Sequence, residues 1–144
     1  MKNRNSLKWL PVVVAAAIIL RDEKFLLTKR RPESEQGSLW EFPGGKIESG
    51  ETLEECLRRE MREELGIEIS KPQYFHSIRH AYPEKVVELH FFTCSIEQGQ
   101  PQALGCTEMA WVDKHELIAH EFPPANIPMI KKIIQTEFSK DSVF

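Results

Sequence analysis

Hydrophobic and polar positions divide the chain into short segments, and the first two have the pattern of strands. An apolar run over 12–20 is followed by the charged residues 21–24 and by a second apolar stretch. Two apolar runs around a short polar turn are typical of a β-hairpin. We therefore predict strands over 12–20 and 24–29, joined by a tight turn.

The middle of the chain has the period of an amphipathic helix. Apolar residues recur at spacing four and form one stripe: Leu53, Leu57, Met61 and Leu65. Thr52 and Glu55 have the spacing of a capping box, and Gly66 suits the left-handed stop that follows many helices. These signals predict a helix over 52–65.

The remaining segments continue with strands, turns and a final helix. The predicted elements are a short extended piece over 41–45, strands over 67–79, 86–96 and 110–112, and a helix over 128–138. Strands outnumber helices, and the long helix lies in the middle of the chain. The expected fold class is therefore α/β, with a mixed sheet flanked by helices.

Length and charge narrow the class of protein. A chain of 144 residues suits one domain, which we expect over 1–144 with a core over about 9–138. The formal net charge of -3 provides no general attraction for nucleic-acid polymers or anionic membranes. Neither partner is expected, and a DNA glycosylase is disfavoured because it needs a basic surface. The sequence does not distinguish a monomer from a homodimer.

The cysteines and the N-terminus both bear on the compartment. Three widely spaced cysteines without a CxxC pair favour a reducing, cytoplasmic environment. Lys2, Arg4 and Lys8 precede the apolar run and imitate the start of a signal peptide. Pro11 and the charged turn after the run favour a hairpin over an export signal, and the run is too short to span a bilayer.

An acidic cluster on the predicted helix is the main candidate for chemistry. Glu60, Glu63 and Glu64 are three and four positions apart, so their side chains share one face. Most charge runs are simply solvated surfaces. Three neighbouring carboxylates repel one another, however, unless cations neutralise them. Mg²⁺, or Mn²⁺ as a substitute, suits such oxygen ligands best.

The residues around this cluster have a specific spacing. Gly45 is followed after five residues by Glu51, and after seven more by the run REMREELGI over 59–67. All nine specified positions of G-x5-E-x7-R-E-U-x-E-E-x-G-U, where U is bulky and aliphatic, are matched. The chain thus resembles the Nudix hydrolases, which cleave nucleoside diphosphates linked to another group. The resemblance implies an α/β/α sandwich with a mixed β-sheet between helices.

The resemblance also assigns roles to residues in and near this box. It implies these metal ligands: Gly44 through its backbone carbonyl, Glu60, Glu63, Glu64 and, outside the box, Glu108. Glu60 is also the candidate that orients or deprotonates the attacking water, with metal binding alone as the alternative. Glu108 is the nearby carboxylate before the late strand, but its spacing from Trp111 is shorter than in the related enzymes. Arg59 is expected to fix the loop and the carboxylates, with Glu51 and Gly45 in support.

Two further stretches resemble the MutT branch of this family, which hydrolyses 8-oxo-dGTP to 8-oxo-dGMP and pyrophosphate. They are WEFPGGKIE over 40–48 and FPPANIP over 122–128. The resemblance assigns four residues to the substrate: Asn126 and Phe42 to the base, Arg30 to phosphate or base, and Lys85 to the place of an Arg in the branch. A nucleotide is the expected partner.

Alternatives to these roles follow from the same residues. Asn126 precedes the C-terminal helix, so it is also a candidate helix cap. Related cytidine-nucleotide pyrophosphohydrolases share a similar box, which keeps CTP or 5-methyl-dCTP open as substrates. A non-catalytic nucleotide-binding module is a third interpretation, although binding alone does not require three helix carboxylates. Tyr82 and Phe91 are expected in the core or at its rim.

Overall fold

A mixed β-sheet with helices on both faces forms the body of the computed structural model, which describes residues 10–34 and 37–138. The strands are β1 (Val12–Arg21), β2 (Lys24–Lys29), β3 (Trp40–Glu41), β4 (Gly44–Lys46), β5 (Glu68–Ile69), β6 (Gln73–Tyr82), β7 (Lys85–Cys94), β8 (Ile96–Gln98) and β9 (Glu108–Val112). The helices are α1 (Leu53–Leu65), α2 (Lys114–Ala119) and α3 (Ile127–Gln135), and a 3₁₀ turn (Pro124–Asn126) precedes α3.

The described strands of the main sheet follow the order β3-β2-β1-β7-β6. The central pair, β1 and β7, is parallel, with Val12 opposite Val87 and Ile19 opposite Cys94. The other pairs are antiparallel, and β4 and β9 add to β1 and β2 respectively. A separate small sheet joins β5 and β8. The prediction of a mixed sheet is therefore confirmed.

The β1–β2 hairpin places the glycine pair at the centre of the sheet. Asp22 and Glu23 both have positive φ, which is the backbone of a tight two-residue hairpin turn. β1 pairs with β2 only next to this turn, at Leu20–Phe25 and Arg21–Lys24. Further along, β1 pairs with β4, so the residues of 44–46 lie directly beside the middle of β1.

Alternation along the central strands separates two hydrophobic layers. Even positions of β1 pack towards α2 and α3, and odd positions pack towards α1, because successive strand residues point to opposite faces. The layer under α1 contains Ala15, Ala17, Ile19, Leu26, Cys56, Leu57, Met61 and Leu65. The layer under α2 and α3 contains Ala16, Ile18, Phe25, Leu27, Phe91, Leu117, Met129, Ile130 and Ile133. Helices thus cover both faces, as expected for the sandwich.

Helix α1 forms as the sequence predicts. The Thr52 side chain accepts a hydrogen bond from the Glu55 N–H, and the Glu55 carboxylate accepts one from the Thr52 N–H. Gly66 ends the helix in the left-handed conformation at φ 68°. The predicted apolar stripe is buried at Leu57, Met61 and Leu65.

Two long predicted strands are each divided in the structure. The segment predicted over 67–79 forms β5 and β6, and the one over 86–96 forms β7 and β8. The two breaks lie opposite each other, at Ser70 and Ser95. There the Ser70 N–H donates to the Ser95 carbonyl and the Ser95 N–H donates to Ser70 Oγ, each at 2.9 Å. Pro72, which lacks an N–H, lies inside the first break. The prediction of two continuous strands was wrong because the chain passes there from one sheet to another.

The C-terminal part differs from prediction in two further ways. Helix α2 was not predicted, although Asp113 and Glu116 form a capping box like that of α1. The last helix ends at Gln135 and not at the predicted Phe138. At this end the Thr136 hydroxyl donates a hydrogen bond to the Lys132 carbonyl at 2.7 Å. The helices in the described part of the chain are all too short or too polar to traverse a lipid bilayer.

The N-terminal hairpin prediction is confirmed over the residues that the structure describes. The basic residues Lys2, Arg4 and Lys8, and position 9 as the start of the core, lie outside them.

Candidate active site

The glycine pair brings loop 44–51 into contact with helix α1. A Cβ atom at Gly45 would lie 2.2 Å from Glu60 Cδ, so the carboxylate of Glu60 occupies the space that a larger residue would need. A Cβ atom at Gly44 would lie 2.0 Å from the Ala15 carbonyl oxygen on β1. Glycine is therefore required at both positions by close approach, once to a side chain and once to backbone.

Arg59 connects the same loop to the carboxylates of α1. Its guanidinium donates to Glu51 at 2.6 and 3.0 Å and to the Lys46 carbonyl at 3.1 Å. It also donates to Glu60 Oε2 at 2.9 Å and Glu63 Oε1 at 3.1 Å. The bonds to the three carboxylates raise the pKa of Arg59, the bond to Glu51 most. The same bond holds the pKa of Glu51 below its usual value. Loop and helix are thereby held in one arrangement.

A partly buried group of three carboxylates lies beside this arginine, and we call Glu41, Glu60 and Glu64 the carboxylate cluster. Burial raises the pKa of each member. The pKa of Glu64 is raised to about 8, with burial as the first cause, the charge of Glu41 as the second, and that of Glu60 adding to it. Arg30 opposes the effect on Glu41 through an ion pair at 2.8 Å. Strand β3 brings Glu41 here, although it lies outside the helix.

The cluster contains an oxygen suited to a positive ligand. Glu64 Oε1 is buried, and so is the Thr28 hydroxyl next to Glu64. Among residues 10–34 and 37–138, neither atom has a partner in good hydrogen-bonding geometry. A buried carboxylate oxygen without a partner is costly. A divalent cation with oxygen ligands would relieve that cost and the mutual repulsion of the cluster. The donor set therefore fits a hard cation.

The side chains are not preassembled around a single point. Within residues 10–34 and 37–138, no group of three His, Cys, Asp or Glu side chains is arranged to hold a metal ion. Glu60 and Glu63 are instead bonded to Arg59. A cation would compete with Arg59 for the oxygens that these two carboxylates turn towards it.

Glu63 and Glu108 lie at the periphery. The Glu63 side chain is 56% exposed at the outer side of Arg59. Glu108 is 59% exposed on β9 and forms an ion pair with Lys29 at 3.5 Å. The charge of Glu41, a carboxylate outside the box, acts on Glu64, while a metal-binding role for Glu108 stays a prediction.

A pocket of about 340 Å³ opens next to the glycine pair. It has the size of a small-molecule site. All four residues predicted to bind substrate line it: Arg30, Phe42, Lys85 and Asn126. Gly44, Gly45 and Glu41 line the same pocket, which therefore extends from the glycine pair and Glu41 to the turn before α3.

Asn126 faces this pocket from a buried position. Its exposed fraction is 7%, and its side chain makes no capping hydrogen bond to α3. The backbone there is helical rather than extended, unlike an ordinary N-cap. The helix-cap interpretation is therefore wrong, and the amide is free of that role.

Three residues of the site were missed by sequence reasoning. Glu41 lies in an extended piece and in the stretch 40–48 that resembles the MutT branch, but it was assigned no role, although an acidic residue just before the glycine pair was a usable signal. Thr28 is a polar residue inside an apolar strand, and the structure buries it completely. Tyr82 packs against the core as expected, but its place in the pocket wall was not foreseen.

Comparison with known proteins supports a family assignment. The model of the NUDIX domain matches residues 14–132. The CTP pyrophosphohydrolase of Escherichia coli is 38% identical over 83% of this chain and 89% of its own length. The 8-oxo-dGTP diphosphatase of Haemophilus influenzae is 34% identical over 85% of this chain and 92% of its own.

Solved structures agree with this match. A solved structure from a study of MutT from Aliivibrio salmonicida and Vibrio cholerae superimposes on this chain with a TM-score of 0.73 at 30% sequence identity. It covers 88% of this chain and 98% of the other. The fold, the matched box and these relatives together identify the chain as a member of the Nudix hydrolase family.

Proposed function

We propose that this protein is a divalent-cation-dependent nucleoside triphosphate pyrophosphohydrolase that converts 8-oxo-dGTP to 8-oxo-dGMP and pyrophosphate. The observation that carries the proposal is the common pocket of Asn126, Phe42, Arg30 and Lys85 beside the glycine pair. Removal of an oxidised nucleotide from the pool would prevent its incorporation into DNA.

Asn126 supports a preference for oxidised guanine. An Asn amide offers both a donor and an acceptor. It can therefore pair with O6 and with the protonated N7 that distinguishes 8-oxoguanine from guanine. Phe42 packs edge-to-face with Phe91 at 5.8 Å between ring centroids, which holds its ring in the pocket wall for contact with a base.

The two basic residues of the pocket suit the phosphate chain. Arg30 and Lys85 line the same pocket as the glycine pair, although the chain as a whole has a formal net charge of -3. Local cations can neutralise a polyphosphate where net charge cannot. Arg30 is held by Glu41, so its guanidinium is positioned before a substrate arrives.

Mg²⁺, with Mn²⁺ as a substitute, is the proposed cofactor. Glu60, Glu63 and Glu64 would hold it, together with the Gly44 carbonyl, and the unpartnered oxygen of Glu64 supports this assignment. Such a cation neutralises phosphate oxygens and lowers the pKa of water. Glu60 would orient the water or accept its proton, since it is the member of the cluster whose carboxylate lies against Gly45 of the loop.

The carboxylates depend on neighbours for their positions. Arg59 holds Glu60 and Glu51 in the structure, and Gly45 leaves the space in which Glu60 lies. Most catalysis of phosphoryl transfer comes from positioning and electrostatics, so these contacts would matter for rate.

The proposed partner is a small nucleotide rather than a nucleic-acid polymer or a membrane, and the protein is a monomer or a homodimer. The three cysteines are buried and unpaired. This is consistent with the reducing, cytoplasmic compartment that we propose.

Hydrolysis of CTP or 5-methyl-dCTP is the second candidate. The observation that favours it is the 38% identity to the CTP pyrophosphohydrolase of Escherichia coli, against 34% to the 8-oxo-dGTP diphosphatase of Haemophilus influenzae. A pyrimidine would use the same pocket with a different hydrogen-bond pattern at Asn126.

A nucleotide panel tests the proposal. We expect kcat/KM for 8-oxo-dGTP to exceed that for dGTP, CTP and 5-methyl-dCTP by at least about tenfold, the effect of one well-placed polar contact. Turnover should need Mg²⁺ or Mn²⁺ and stop in EDTA. Nucleoside monophosphate and pyrophosphate should be the products.

The rivals give different results in the same panel. If CTP or 5-methyl-dCTP were hydrolysed faster than 8-oxo-dGTP, the hypothesis of a cytidine-nucleotide pyrophosphohydrolase would replace the proposal. Metal-independent nucleotide binding without any turnover would favour a non-catalytic module instead.

A further inference from the structure

A hydrogen bond between distant parts of the chain holds the turn that carries Asn126. The backbone N–H of Ala125 donates to the hydroxyl of Tyr82 at 3.2 Å, across 43 positions of sequence. Tyr82 is the last residue of β6, and it lines the same pocket as Ala125 and Asn126 of the turn. The bond therefore connects the end of the β6–β7 hairpin to the residue just before Asn126.

The turn has few bonds of its own. Pro123 and Pro124 have no N–H, so Ala125 supplies the first backbone donor of the 3₁₀ turn. The bonds within the turn run from Asn126 to the Pro123 carbonyl and from Ile127 to the Pro124 carbonyl. The Ala125 N–H precedes both.

Burial makes this donor depend on Tyr82. Ala125 is 2% exposed, so its N–H is largely removed from solvent. A buried backbone N–H without a partner is unfavourable, and the turn would shift to recover one if the hydroxyl were removed. A shift at Ala125 moves Asn126, because the two are adjacent.

We propose that the Tyr82 hydroxyl is a specificity-determining positioning group, which acts through Ala125 to hold Asn126 in the pocket wall. The inference rests on the proposed function, since it requires Asn126 to discriminate between bases. Through Asn126, the Tyr82 hydroxyl affects discrimination between bases and not the cleavage of the phosphate chain.

The chain offers a matched control for removal of the hydroxyl. Its two tyrosines are Tyr74 and Tyr82. Tyr74 also lies on β6, but it is 61% exposed and its hydroxyl bonds Ser77 at 2.9 Å. Tyr74→Phe and Tyr82→Phe are thus the same chemical change on one strand.

A double-mutant cycle tests the inference. The kcat/KM ratio of 8-oxo-dGTP to dGTP is measured for the parent, Tyr82→Phe, Asn126→Ala, the double variant and Tyr74→Phe. We expect Tyr82→Phe to lower this ratio about three- to tenfold, the range of one hydrogen bond, and Tyr74→Phe to leave it unchanged. The double variant should match Asn126→Ala alone, because two residues that act through one contact are not additive.

Hydrogen exchange gives a readout that is independent of base preference. The Ala125 amide should exchange at least about threefold faster in Tyr82→Phe than in the parent, with no change in Tyr74→Phe. Thermal unfolding of each variant shows whether the fold is retained.

The outcomes separate the two proposals. A parent that does not distinguish the two nucleotides contradicts the proposed function, and the Tyr82 role in specificity is then rejected with it. A parent that discriminates, with an unchanged ratio in Tyr82→Phe, overturns the Tyr82 inference alone. The inference is also overturned if Tyr82→Phe lowers the ratio as much in the Asn126→Ala variant as in the parent. The same holds if the Ala125 amide exchanges at the same rate in Tyr82→Phe and in the parent.

Discussion

Two adjacent glycines meet different neighbours, so the same substitution should have different effects at each. The obstacle at Gly45 is the carboxylate of Glu60, which is the mobile end of a side chain. The obstacle at Gly44 is the Ala15 carbonyl and the Ala16 Cα, which belong to a central strand. A side-chain end can move away, whereas central-strand backbone cannot without loss of sheet pairing.

We predict that Gly45→Ala impairs catalysis more than stability, and that Gly44→Ala impairs stability. Displacement of Glu60 by about an ångström should lower kcat/KM about 100-fold, with a change in Tm of under about 3 °C. Gly44→Ala should lower the free energy of unfolding by about 2–3 kcal/mol, the usual cost of overpacking. Thermal unfolding and steady-state kinetics on both variants provide the measurement. Equal loss of stability in the two variants would contradict this distinction.

At the scale of elements, α1 carries the box carboxylates on one face and the core on the other. Its capping box, its apolar stripe and its glycine stop are all local features. The Thr52 hydroxyl accepts a hydrogen bond from the Glu55 N–H, and the Glu55 carboxylate accepts the reciprocal bond from the Thr52 N–H. The helix is therefore fixed at its start independently of the charges further along.

We predict that Thr52→Ala lowers the free energy of unfolding by about 1 kcal/mol, since it removes the N-cap acceptor. Thr52→Ser keeps that acceptor and serves as the matched control. Urea unfolding curves of the parent and both variants measure the difference. If serine proved as destabilising as alanine, the capping hydrogen bond would not be the cause.

At the scale of the whole molecule, stability is coupled to charge in the carboxylate cluster. Burial and the charge of Glu41 raise the pKa of Glu64 to about 8. The unfolded chain releases this proton near the ordinary value of 4.5. Between these values the folded state holds more protons than the unfolded state, so this group favours folding below about pH 4.5 and loses that contribution as the pH rises through about 8.

We predict that metal-free protein loses stability between about pH 5 and 8, and that Glu64→Gln removes much of the loss. At pH 8 the variant should melt about 3–8 °C higher than the parent in EDTA, while its activity is lost. Mg²⁺ should stabilise the parent at pH 8 but not the variant, because it favours the charged carboxylate.

Thermal unfolding at several pH values, with and without Mg²⁺, measures this effect. Glu54→Gln, on the same helix but ion-paired with Arg58 at the surface, should keep the pH dependence of the parent. A pH dependence in Glu64→Gln equal to that of the parent would show that Glu64 is not its source.

The sequence by itself determined the features that depend on neighbours along the chain. The bounds of β2, the caps and stripe of α1, and the nine box positions could be recognised because helix and hairpin signals act over a few residues. The four predicted substrate residues also meet in one pocket. Their grouping came from resemblance rather than from local pattern.

Only the tertiary structure decided which distant segments meet. It divided two predicted strands at Ser70 and Ser95, brought Glu41 to Glu60 and Glu64, and joined Tyr82 to Ala125. These contacts depend on which strands become neighbours in the sheet, and residue spacing does not specify that. Burial, which raises the pKa of Glu64, likewise exists only once both faces of the sheet are covered.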